Sequence, residues 1–79
     1  MVTPQQIQDW IETGLTGSIA KVSGDGQHFE ALIVCADFAG KSRIQRHQMV
    51  YTALGDRMKS EIHALSMKTV TTEEVQNQS

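Results

Sequence analysis

The stretch from His28 to Ala36 is apolar on both faces of an extended chain. Phe29, Ala31, Ile33 and Cys35 fall on one side, Leu32 and Val34 on the other. A run of this kind fits a central strand with a neighbour on each side, so the flanking segments must supply those neighbours. Upstream, Thr16 to Ser23 reads as a weaker strand, broken by Gly17. Ser23-Gly24-Asp25-Gly26-Gln27 then forms the turn of an antiparallel hairpin. Downstream, Leu65 and Met67 alternate with Ser66 and Lys68 as a third strand. Helical sequence separates the second strand from the third, so that pair is expected to run parallel through a right-handed crossover.

The helices carry legible start signals. Thr3-Pro4-Gln5-Gln6 supplies a capping hydroxyl, Pro at the first helical position and Gln at the third. Ile7, Trp10 and Ile11 share a helical face, with Trp10 as a core anchor, and Gly14 is expected to end the helix in the left-handed conformation. Asp37 to Lys41 reads as a loop. Ser42-Arg43-Ile44-Gln45 is a second capping box, after which Ile44, Val50, Tyr51, Leu54 and Met58 step along a helical face. Gly55-Asp56 interrupts that helix, Gly as a stop and Asp as the next cap. Thr71-Thr72-Glu73-Glu74 signals a last, short helix, and residues 75–79 are expected to fray. The fold class is therefore α+β, in the order α-β-β-α-α-β-α, with helices on one face of a three-stranded mixed sheet and one domain over residues 1–79.

Size and composition narrow the functions. A chain of 79 residues buries roughly 60–65% of its unfolded surface, enough for one modest core. One Cys excludes an internal disulfide and a four-thiolate metal site, and suits a reducing compartment. No apolar run approaches the ~20 residues needed to span a bilayer, and no signal peptide is evident; a cytoplasmic location is expected. The net charge of −2 argues against wholesale nucleic-acid binding and leaves local patches.

The chemistry-bearing residues are few. Two histidines in a small domain are more often surface or hydrogen-bonded residues than ligands. His28 and His63, however, stand at the ends of two strands expected to be adjacent and parallel, where their imidazoles could converge. His47 reads as a helix-face residue that packs or hydrogen-bonds. Cys35 reads as buried packing. Lys41, Arg43 and Arg46 place three of the seven basic residues within six positions at a helix start. Cations there oppose the helix dipole, which suggests a use beyond stability: contact with an acidic partner surface or DNA phosphates. Replacing Arg43 and Arg46 is accordingly expected to leave folding nearly unchanged. No GK[ST] follows the glycine turn, no GxxG loop joins the helices, and no Ser/His/Asp or Cys/His spacing suggests an enzyme.

Several of these stretches together resemble the BolA-like family. They are Gly24-Asp25-Gly26 with His28-Phe29-Glu30, Phe38-Ala39-Gly40-Lys41, Arg46-His47-Gln48-Met49-Val50-Tyr51, and His63-Ala64-Leu65-Ser66-Met67-Lys68-Thr69. The likeness runs from about Ile7 to Glu74, and the bacterial YrbA/IbaG branch is the nearer one. The resemblance implies a class II KH-like fold and no enzymatic activity. It implies pairing with a monothiol glutaredoxin around a bridging 2Fe-2S cluster, with His63 and His28 as ligands and the thiolates coming from the glutaredoxin cysteine and a glutathione. It implies a part in iron homeostasis or cluster trafficking and, as the alternative, DNA-binding transcriptional control in stress response. The isolated chain is expected to be a monomer or weak dimer without cofactor. Where the family often has Pro, an acidic pair and Trp after the third strand, this chain has Thr72, Glu73, Glu74 and Val75, which is expected to weaken packing of the last helix.

Overall fold

The computed structural model describes residues 2–76. The chain forms α1 (Pro4–Gly14), β1 (Ile19–Gly24), β2 (His28–Val34), a single 3-10 turn (Ala36–Phe38), α2 (Arg43–Leu54), α3 (Arg57–Ser60), β3 (Ala64–Val70) and α4 (Thr72–Gln76). The sheet order is β1-β2-β3, so β2 is central. It is antiparallel to β1, with Ile19 opposite Val34, and parallel to β3, with His28 opposite Ala64 and Val34 opposite Val70. The expected order and strand directions hold; the 3-10 turn is additional. Of the terminal segment expected to fray, Val75 and Gln76 are helical and residues 77–79 lie outside the described residues.

Burial alternates along β2, with Phe29, Ala31 and Ile33 facing the core. The helices contribute Ile7 and Ile11 from α1, and Val50 and Leu54 from α2, each with no exposed surface. The second apolar face of β2 is not covered: Leu32 is exposed, lying in register between Lys21 and Lys68. Its apolar character thus reflects a central position in the sheet and not a second helical layer. Phe38, expected in a plain loop, is completely buried and anchors the 3-10 turn in the core.

Both expected capping boxes at Thr3 and Ser42 are present, each with the side-chain oxygen accepting from the third helical N–H and the Gln side chain accepting in return. Four details differ from expectation. First, β1 starts at Ile19, because Gly17 takes a positive φ in the turn that precedes it. Second, Gly14 is not among the glycines with positive φ. Its role is close approach: a Cβ there would sit 2.8 Å from the Ala53 carbonyl oxygen and 2.9 Å from the Ala53 Cα, so Gly14 lets α1 lie against α2. Third, Gly55 ends α2 as anticipated, yet the Asp56 side chain makes no capping bond to α3. Fourth, Ile44 and Tyr51 are exposed. At 100° per residue they stand about 120° and about 100° round the helix from Val50, off the stripe that Val50 and Leu54 bury. Trp10 is half-buried, with the Arg57 guanidinium 4.7 Å from its ring centroid.

Candidate functional site

The hairpin turn is built around Asp25. Its carboxylate accepts the backbone N–H groups of Gln27 and His28, both at 2.9 Å, and its own N–H donates to the His28 carbonyl at 3.2 Å. Those bonds, His28's first of all, hold the Asp25 carboxyl below the usual carboxylate range, because they stabilise its charged form. Gly24 completes the turn: a Cβ there would run into the His28 carbonyl oxygen and the Phe29 ring. The backbone on both sides of His28 is thereby fixed.

Parallel pairing sets His28 opposite Ala64, so His63 arrives one residue before the same level of the sheet. The two rings lie 6.4 Å apart, centroid to centroid, at an interplanar angle of 89°, and both residues are exposed. Two imidazoles on one tetrahedral metal, at a metal–nitrogen distance of about 2.1 Å, have centroids roughly 5 Å apart. Exposed rings can close that difference by a small side-chain rotation. Among the described residues no group of three or more His, Cys, Asp or Glu is placed to hold a metal ion. Cys35 is a free thiol, 2% exposed and in the core. The pair is two exposed imidazoles, and a metal ion held there would need its remaining ligands from another molecule.

The basic cluster divides. Arg46 is folded inward. Its Nε donates to the carbonyls of Phe38 (3.1 Å) and Lys41 (3.0 Å), and its Nη1 to the Thr69 carbonyl (3.2 Å) and to Glu74 Oε1 (2.9 Å). It also stands 5.8 Å from the Phe38 ring centroid. Its bond to Glu74, with the Thr71 N–H donating to the same carboxylate, holds Glu74 below the usual carboxylate range. The expectation that Arg46 can be removed with little effect on folding is thus reversed by its bonding, which ties the loop, α2, β3 and α4 together. Lys41 and Arg43 are exposed and make no ion pair among the described residues. They line a groove of about 410 Å³ between the start of α2 and the edge of β3, with His47 and Lys68 also in its wall. His47 Nε2 is buried without a hydrogen-bond partner, so of the two expected roles, packing or hydrogen bonding, this nitrogen shows the first.

A family model described as BolA-like protein matches residues 12–74. The chain belongs to the BolA-like family. Its fold is similar to that of a BolA protein homologue from Coxiella burnetii, with a TM-score of 0.92 and 51% identity, over 96% of this chain and 99% of the other. It is 37% identical to the acid stress protein IbaG of Escherichia coli K12, over 84% of this chain and 80% of that protein. It is 41% identical to the DNA-binding transcriptional regulator BolA of Haemophilus influenzae over 65% of this chain. That last match spans half (50%) of the regulator's length.

The residues that position the site were less legible than those that form it. Asp25 was visible only as a turn former. Its position ahead of Gly26-Gln27-His28 was the available signal for a side chain that bonds its own backbone two and three residues on. Lys68 read as the solvent side of a strand, and its meeting with Lys41 and Arg43 depends on the tertiary fold.

Proposed function

We propose that this BolA-like chain is an adaptor that pairs with a monothiol glutaredoxin and shares a bridging 2Fe-2S cluster with it, in iron homeostasis or cluster trafficking. The observation that carries the reading is the exposed His28–His63 pair, 6.4 Å apart at one end of two parallel strands. His28 is held by the Asp25 turn and His63 directly precedes β3, so both imidazoles can meet one iron with little ordering of backbone on association. The chain offers no accessible thiolate beside them, because Cys35 is buried. The sulfur ligands then belong to the glutaredoxin cysteine and a glutathione. Two histidines on one iron raise the potential of a 2Fe-2S centre relative to an all-thiolate one, which is the chemistry the bound cluster would supply.

The test is reconstitution with glutaredoxin, iron, sulfide and glutathione, read by visible absorption and circular dichroism. His63→Ala is expected to alter the bands and His28→Ala to alter them less. Cys35→Ser is expected to leave them intact. Wild-type bands from the His63 variant, with loss of bands in the Cys35 variant, would move the ligand assignment to the thiol.

A second reading is a DNA-binding transcriptional regulator. It is supported by Lys41 and Arg43, which make no ion pair among the described residues, and by the name of the Haemophilus influenzae relative. The helix α3 has four residues, too few for a recognition helix in the major groove, so contact would run through the loop and the start of α2. Mobility shift on duplex DNA that weakens steeply with salt is the expected result, since phosphate contacts release counterions.

A further inference from the structure

We infer that the groove between the start of α2 and the edge of β3 binds phosphate groups, at a site separate from the histidine pair. Three elements supply cations to its lining: the loop before α2 gives Lys41, the first turn of α2 gives Arg43, and β3 gives Lys68, which stands at the strand edge and also lines the open face of the sheet beside Lys21 and Glu30. No carboxylate lines the groove, in a chain with nine acidic residues against seven basic ones. None of these three cations forms an ion pair among the described residues. Arg46 is neutralised by Glu74 and held by backbone carbonyls, so the groove's uncompensated charge comes from the other three.

The back of the groove is also unusual. The buried Nε2 of His47 has no hydrogen-bond partner, which is costly for a polar atom in a protein interior. Arg46 donates to the Thr69 carbonyl at the free edge of β3. Strand alternation turns the Thr69 N–H to that same edge, adding a neutral donor beside the cations. Three separated positive charges and a backbone N–H suit an anion with several oxygens and more than one negative charge. That describes a phosphate or diphosphate better than a single carboxylate.

Position gives the site its meaning. The histidine pair lies before Ala64 and the groove reaches Thr69, five residues further along β3. At a rise of about 3.3 Å per residue the two are separated by roughly 17 Å. The histidine pair and the groove are thus distinct positions along β3. The inference does not rest on the cluster reading. Its duplex arm bears on the nucleic-acid reading.

The experiment is an amide NMR titration of the cofactor-free chain with inorganic pyrophosphate, a nucleoside diphosphate, a short DNA duplex and, as a dicarboxylate control, glutathione. Pyrophosphate is expected to shift residues of the Lys41–His47 and Met67–Thr69 segments and to leave the His28 and His63 signals in place. Lys68→Ala is expected to weaken it about tenfold, as for loss of one charge-assisted bond. Lys41, Arg43 and Lys68 are exposed, so their Ala variants should melt like the wild type, and Arg46 is left intact. Shifts from the diphosphates alone support the site with a small-ligand source. Shifts from the duplex as well, lost in the Lys68 variant, support it with a nucleic-acid backbone as the source. Shifts centred on the histidines, equal shifts from glutathione, or unchanged affinity in both the Lys41 and Lys68 variants would overturn the assignment.

Discussion

Gly14 sets two physical effects against each other. On an exposed helix Ala is better than Gly by about 0.8–1.0 kcal/mol, so propensity alone predicts that Gly14→Ala stabilises. The added methyl, however, meets backbone atoms of Ala53 that cannot turn aside. Overpacking of this kind typically costs about 1–3 kcal/mol, and the expected sign is destabilising. Urea unfolding of the single variant decides it. Asp25 poses a different question, since its bonds are local and exposed. Asp25→Ala should leave the core intact while loosening the turn. The expected signature is faster amide exchange at Gln27 and His28 and weaker cluster bands with glutaredoxin; unchanged exchange at both amides would remove Asp25 from the positioning role. At this scale the sequence was readable where chemistry is local. Cys35 sat in an apolar alternation, and the two histidines stood at strand mouths. Phe38 was not readable, because one buried aromatic in a loop has no periodicity to announce it.

Each free edge of the sheet meets a helix side chain at one hydrogen bond. On β1 the Ala20 N–H donates to Glu12 of α1 at 2.9 Å; on β3 the Thr69 carbonyl accepts from Arg46 of α2. Unblocked edges invite pairing with other chains, so these contacts serve the free protein as well as the fold. Arg46→Ala leaves the carbonyls of Phe38, Lys41 and Thr69 without this donor. A loss of about 2 kcal/mol is expected from hydrogen bonds to a charged group, measured by thermal or urea unfolding. The same arginine holds α4, whose Thr71 hydroxyl accepts the Glu74 N–H at 3.0 Å while Glu74 accepts the Thr71 N–H at 2.7 Å. This reciprocal cap and ion pair hold the start of α4. The Glu74 carboxyl titrates below its ordinary value in the fold. Its contribution is therefore complete above the ordinary carboxylate range and is lost as pH falls through the lowered folded value. Glu74→Gln should flatten the acid limb of stability against pH; an acid limb as steep as the wild type's would show that the clasp does not govern it. The capping boxes, the Gly55 stop and the strand directions were legible because each rests on short-range rules. The start of β1, the fate of Ile44 and Tyr51 and the double use of Arg46 depend on how elements meet, which spacing does not encode.

As a whole molecule the domain is a small two-layer body, with a Cα radius of gyration of 12.0 Å, whose candidate site residues sort to the two ends of β3. The two imidazoles stand at its beginning, and cations that make no ion pair among the described residues stand toward its end. Parallel pairing of β2 and β3 produces the first arrangement, since it begins both strands at the same end. The crossover through α2 produces the second, since it returns the basic loop to the far end of β3. On the proposed assignment, His28 and His63 together form this chain's half of a shared cluster. The most direct test is nitrogen hyperfine spectroscopy on the reduced complex with glutaredoxin, prepared from chain labelled with ¹⁵N-histidine. Two distinct ¹⁵N-imidazole couplings to the cluster are predicted, one lost in His63→Ala and the other in His28→Ala. A cluster-bearing complex with no imidazole coupling from this chain would contradict the account.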